Sequence, residues 1–163
     1  LADAVAGDSM LAPRRRRSAA HAQNTQAEAE VSYADFRQCY LALQQGMETR
    51  IGNLRGRLRS MVAAQSSEMT RLAVVDAIME RALGARERSL FGAVPGMLGG
   101  HFERLRKAAQ EEQAAAGDDP APTAVASGAW LDMFRKDMQS VLLAELEIRF
   151  QPVEGLLAAL RIS

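Results

Sequence analysis

One apolar stripe constrains this chain more than any other feature. Tyr33, Phe36, Tyr40, Leu43, Met47, Ile51, Leu54, Leu58 and Met61 follow one another in steps of 3, 4, 3, 4, 4, 3, 4 and 3 residues. Strands bury every second residue and helices about one in 3.6, so only a helix gathers these side chains on one face. The rhythm is that of a coiled coil, and the doubled step of four around Met47 is a stutter that relaxes a left-handed supercoil. At ~1.5 Å rise per residue, a helix from Tyr33 to Gln65 is about 50 Å long and needs several partner helices or another chain. Gly46, Gly52 and Gly56 each weaken it by up to about 1 kcal/mol relative to Ala, so packing must supply its stability.

The helix start is marked as clearly as its face. Ser32 and Asp35 have the spacing of a capping box, and Val31 and Phe36 stand where a hydrophobic staple would close over it. Before that point, residues 1–31 carry no sustained apolar period and hold the run Arg14-Arg15-Arg16-Arg17, which predicts a disordered, basic tail. After it, Gln65-Ser66-Ser67 interrupts the stripe, and Met69, Leu72, Val75, Met79 and Leu83 begin a second helical pattern, joined to the first by a kink or a tight hairpin.

Phe91, Val94, Leu98, Phe102 and Leu105 keep helical spacing through a stretch that also holds Gly92, Pro95, Gly96, Gly99 and Gly100. We expect a helix broken or kinked near Pro95, with glycines admitting a close neighbour. Residues 112–128 read as a flexible link. Order resumes at Trp130, where Leu131, Phe134, Met138, Val141, Leu142 and Leu146 give an amphipathic helix. Gln151-Pro152 should interrupt it, because proline lacks an N–H and disfavours helix before it, leaving a last short helix with Val153, Leu156, Leu157 and Leu160. No segment alternates as a strand would. The expected fold is all-α: an antiparallel helical bundle or long helical hairpin of four to five helices. Residues 32–163 would form one domain behind the tail.

Chemistry is harder to find. The histidines are His21, in the expected tail, and His101, in the glycine-rich stretch; no H-E-x-x-H pair occurs. Glu145 and Glu147 differ by two on a helix and point apart. Gly92 to Gly100 lacks the preceding strand and following Lys-Ser or Lys-Thr of a phosphate loop. The lone Cys39 excludes an intrachain disulfide and any multi-thiolate metal site, and suits a reducing, cytoplasmic setting. Apolar runs fall far short of the ~20 residues that cross a bilayer. Neither a catalytic residue, a metal ligand nor a cofactor-binding residue is assigned, and no small-molecule substrate is evident. An enzyme working in a bundle cleft would need His101 buried beside paired carboxylates.

What remains is charge. The chain balances 20 basic against 20 acidic residues, yet residues 1–88 carry 13 basic and 10 acidic side chains and residues 89–163 carry 7 and 10. Arg50, Arg55, Arg57 and Arg59 cluster on the first helix; with Ile51 and Leu58 at the a position, Arg50, Arg55 and Arg57 flank the stripe and Arg59 points away. Those guanidiniums would pair with Glu residues of the C-terminal helix or attract an acidic partner. Arg50, Ile51, Leu54, Arg55, Arg57 and Leu58 are thus candidate partner-binding residues, and Arg14, Arg15, Arg16 and Arg17 candidate phosphate contacts, although no aromatic interleaves with them for base stacking. Met47, Met61, Met69, Met79, Met97, Met133 and Met138 fall on or beside apolar faces and read as core.

The strings YLALQQGMETRIGNLRGRLR (Tyr40 to Arg59), Arg86 to Phe102 around Val94-Pro95, and LLAELEIRFQPVEGLLAAL within Trp130 to Leu160 resemble a bacterial family catalogued as domain of unknown function 3348. The likeness covers most of residues 33–162. The glycine excess at Gly96, Gly99 and Gly100 departs from its pattern and weakens the helix expected there. That family has no assigned activity, so the resemblance implies no mechanism. The functional expectation is a non-enzymatic interaction or scaffold protein that self-associates or docks a partner through its long first helix. The alternative is a nucleic-acid-binding accessory protein using the arginine tail and the arginine helix face.

Overall fold

The computed structural model describes residues 32–115 and 123–162. Among them the secondary structure is helical throughout: α1 (Tyr33–Ala63), α2 (Ser67–Gly92), α3 (Val94–Ala115) and α4 (Thr123–Ile162). The all-α expectation holds. The tail, with Arg14 to Arg17 and His21, lies outside the described residues.

Each boundary has a local cause. Ser32 Oγ accepts the Ala34 N–H at 3.1 Å, while the Asp35 N–H turns to the Ser32 carbonyl. Ser66 caps α2 by accepting the Met69 N–H at 3.2 Å, and the Thr70 hydroxyl returns to the Ala63 carbonyl at 2.9 Å, covering an end group of α1. A link of Ala64–Ser66 therefore makes α1 and α2 a hairpin. The antiparallel sense is fixed by pairs whose numbers rise on one helix as they fall on the other: Gln44 with the Phe91 carbonyl, Glu48 with Arg88, Arg55 with Glu80, and Arg59 with Asp76.

Three expectations are corrected. First, α2 and α3 are separated by Ala93 alone, whose backbone stays in the right-handed helical region, so the break near Pro95 is minimal. Pro95 falls in the first turn of α3, where a missing N–H costs least. The Phe91 carbonyl that this N–H would have served accepts Gln44 Nε2 at 3.0 Å instead.

Second, Pro152 sits inside α4, which runs unbroken for 40 residues. Taking α2 and α3 as one interrupted run gives three helical runs, fewer than the four to five expected, because the separate C-terminal helix does not exist. The carbonyl that Pro152 fails to serve belongs to Ile148, which is exposed and open to water, while Val153 and Leu156 bury themselves beyond the proline and hold the helix on course. Third, residues 112–115 continue α3 and residues 123–128 already belong to α4, so helix occupies both ends of the expected link; residues 116–122 lie outside the described residues. The Ala, Gln and Glu content of residues 108–115 favours helix over coil.

The chain groups into two compact units: Leu1–Leu41 with Pro95–Leu142, and Ala42–Val94 with Leu143–Ser163. In the first, Phe36, Phe102 and Phe134 are wholly buried and meet edge to face, Phe102 to Phe134 at 5.0 Å and Phe36 to Phe134 at 5.2 Å between ring centres. Trp130 and Tyr33 extend the cluster, and Tyr33 donates its hydroxyl to the Pro95 carbonyl. The second unit buries Met47, Ile51, Leu58, Val62, Ala73, Val153 and Leu156 around three polar side chains, Gln44, Glu145 and Arg149.

The stripe that α1 buries is not the one expected. The interior positions are Phe36, Tyr40, Gln44, Met47, Ile51, half-buried Arg55, Leu58 and Val62, in steps of 4, 4, 3, 4, 4, 3 and 4. Leu54 and Met61 stay 37% and 57% exposed. In α4, Leu131, Phe134, Met138, Leu142, Glu145, Arg149, Val153 and Leu156 keep the same 4-4-3 rhythm. Eleven residues in three turns lie close to the natural helical repeat, so these faces lack the drive to a left-handed supercoil that a heptad imposes.

Candidate functional site

Nothing among the described residues assembles as a reaction centre. His101 Nε2 lies 2.8 Å from Asp137 Oδ2, but the imidazole is partly exposed and this is the one carboxylate it pairs with among the described residues. No group of three His, Cys, Asp or Glu side chains suited to a metal ion occurs among the described residues.

The arginine cluster of α1 is largely occupied within the second unit. Arg55 grips Asp76 with Nε and Nη2 at 2.9 and 2.7 Å, a forked pair, and Arg59 Nη1 bonds Asp76 at 3.0 Å and Glu80 at 2.5 Å. Burial alone would raise the Asp76 carboxyl, but hydrogen bonds from Arg55 and Arg59 outweigh it and hold the group below its ordinary value. Burial likewise disfavours the Arg59 cation, and its bonds to Glu80 and Asp76 more than restore it. These pairs correct two expectations: Arg59 faces a partner, and the acids come from α2, not from the C-terminal helix. Ile51 and Leu58 are buried in the unit's interior, whereas Arg50, Leu54 and Arg57 remain exposed.

Sequence reasoning missed the polar group at the centre of the same unit. Glu145 Oε1 accepts Arg149 Nε at 2.9 Å, and its other oxygen accepts Gln44 Nε2 at 2.9 Å. Arg149 also reaches Glu87 at 3.1 Å and lies over the Phe91 ring, 4.3 Å from its centre. A signal was present: Glu145 and Arg149, of opposite charge and four apart, occupy stripe positions between Leu142 and Val153.

The exposed face of α2 is the feature that stands out. Its acids Asp76, Glu80 and Glu87 turn inward to meet the arginines, and of its side chains only Ala73 is fully buried. Its large apolar residues therefore point to solvent: Leu72, Val75, Met79, Leu83 and Leu90 are each more than two-fifths exposed, with Val74 and Ile78 beside them. Contiguous apolar surface of this kind marks an interaction site more often than an idle surface. Of the seven methionines read as core, Met47 and Met138 are buried, while Met61, Met79, Met97 and Met133 are exposed.

Fold and site together define an all-helical protein whose second unit buries Glu145 and Arg149 and exposes a row of aliphatic residues on α2. The chain belongs to the family described as "Protein of unknown function (DUF3348)", which matches residues 1–162. No curated protein and no solved structure matches it. No helix among the described residues is long and apolar enough to cross a membrane.

Proposed function

We propose that this chain is a non-enzymatic interaction or scaffold protein that acts in the cytoplasm and docks through the outward face of α2. The observation that carries the reading is the inversion of α2, which offers Leu72, Val75, Met79, Leu83 and Leu90 to solvent while Asp76, Glu80 and Glu87 pair with arginines on its other side. A helix apolar on its outer face gains nothing as a monomer and becomes stable by covering that face. The docking surface thus moves from the first helix to the second, with Leu54 of α1 as an exposed remnant of the expected stripe.

Nucleic-acid binding draws less support. Arg55 and Arg59 are already matched by Asp76 and Glu80, which leaves Arg50 and Arg57 on that face. The test is affinity purification of the full chain from its native cell beside the Met79→Glu/Leu83→Glu variant. Loss of co-purifying protein, or of the chain's own second copy, in the variant supports the reading; identical assemblies for both sink it.

A further inference from the structure

The outward stripe of α2 has a symmetry that names its occupant. Extended to both ends it reads Glu68, Leu72, Val75, Met79, Leu83, Arg86 and Leu90, in steps of 4, 3, 4, 4, 3 and 4. All seven side chains are exposed. The rhythm is the one that α1 and α4 use on their buried faces, so it is a helix-packing surface by construction. It carries one acid and one base, and they lie nine residues to either side of Ala77. Arg86 makes no ion pair among the described residues, and neither does Glu68.

We propose that a second copy of this chain covers the face, α2 against α2 in antiparallel sense about a two-fold axis near Ala77. A two-fold interface must be self-complementary, so that residue i meeting j requires j to meet i. Turned end for end about Ala77, the stripe places Glu68 opposite the partner subunit's Arg86, Val75 opposite the partner subunit's Met79, and Leu72 opposite the partner subunit's Ala82, one residue from the partner subunit's Leu83. Two ion pairs then close the ends of an aliphatic centre.

Other occupants fit less well. A lipid surface favours aromatic anchors beside Lys or Arg; α2 has exposed arginines at Arg71, Arg81, Arg86 and Arg88, but its one phenylalanine, Phe91, is half-buried under Arg149 and offers no anchor. A foreign helix would have to bring its own base for Glu68 and acid for Arg86, which a second copy supplies. The inference rests on the docking reading above and sharpens it to a partner.

A charge swap tests it. Sedimentation equilibrium of the full chain at roughly 1–100 μM, the range suited to a one-helix interface, should show a monomer–dimer equilibrium. Glu68→Arg or Arg86→Glu alone sets like charges together at both ends and should weaken the dimer about tenfold. The double swap Glu68→Arg/Arg86→Glu should restore it. Glu68 also favours the start of α2, but the double variant keeps that loss, so its recovery cannot be a folding effect. Far-UV circular dichroism confirms that each variant is folded.

A dimer insensitive to the single changes, or not rescued by the swap, overturns the proposal. A wild-type monomer throughout overturns it as well. In that case, if Met79→Glu/Leu83→Glu still strips a native complex, docking stands with a foreign partner; if it strips nothing, docking falls too. Binding of the chain to phosphatidylserine vesicles, abolished by Met79→Glu/Leu83→Glu in a chain that stays monomeric, would hand the face to a membrane and refute the dimer.

Discussion

The two compact units share α1 and α4, yet each is held together differently. The first buries rings: Phe36, Phe102 and Phe134 interlock, with the partly buried Arg135 guanidinium 5.9 Å from the centre of the Phe36 ring. The second runs a glutamate and an arginine through its interior and turns its aliphatic residues out on α2. The difference teaches where each unit's specificity lies. Interlocked rings reward a single geometry through shape. Buried ions penalise every geometry that leaves them unpaired, which fixes register at little net gain in stability.

The largest effects should come from cutting each interior at its centre. Arg149→Met leaves Glu145 charged and without its closest cation, at a cost of about 3–5 kcal/mol. Phe102→Ala removes the ring that Tyr33, Phe36, Trp130 and Phe134 all meet, also at about 3–5 kcal/mol. The comparison breaks or holds on the double change. Glu145→Leu/Arg149→Leu should recover to within about 1 kcal/mol of the parent, since Gln44 keeps the Phe91 carbonyl. No second substitution should rescue Phe102→Ala. Urea denaturation of all four proteins decides it; a double variant as unstable as Arg149→Met would mean that the ions contribute stability and not only register.

A smaller effect separates the units by pH. Asp76 is held below its ordinary value of 3.8 by Arg55 and Arg59. A carboxyl with a lowered folded pKa contributes stability that is fully present above the unfolded value and is lost as pH falls through the folded one. The parent should therefore weaken below about pH 4. Asp76→Asn should lose about 1–2 kcal/mol at pH 7 and show a shallower acid decline. Urea midpoints at neutral and acid pH check this; parallel declines for parent and variant would remove Asp76 from the second unit's pH response.

How far the sequence disclosed this architecture follows from the same contrast. The first unit was legible because its interior is written in apolar residues: Phe36, Tyr40, Leu98, Phe102, Leu131, Phe134 and Met138 all fall on the expected stripes. The second was misread where polar residues hold interior positions. Gln44 and Arg55 displaced Leu43 and Leu54 from the expected face, and Glu145 and Arg149 hold stripe positions that apolar spacing leaves blank. Periodicity also drew α2 as an inward-facing helix. Spacing gives the face of a helix but not its direction, and α2 was oriented by the three carboxylates that Arg55, Arg59 and Arg149 attract. Pro152 misled for a different reason: the cost of one lost hydrogen bond is local, whereas the packing of Val153 and Leu156 lies beyond it.

The smallest predicted effects are the sharpest probe of fit, because they differ in sign between neighbours. A β-carbon on Gly99 would lie 2.9 Å from Tyr33 Cε1. That ring cannot retreat easily, with its hydroxyl on the Pro95 carbonyl and its face 5.7 Å from the centre of Phe102. Overpacking of about 1–3 kcal/mol then outweighs the ~1 kcal/mol that alanine gains over glycine in a helix, and Gly99→Ala should destabilise. At Gly100 the same atom meets nothing within 4 Å, and in the second unit Gly46 and Gly52 are equally open. Alanine there should stabilise by up to about 1 kcal/mol each. Thermal melts of the four single variants give four signs. One negative among three positives places the close approach in the aromatic unit; a stabilising Gly99→Ala would mean that the rings have slack, and that shape is not what selects the geometry of the first unit.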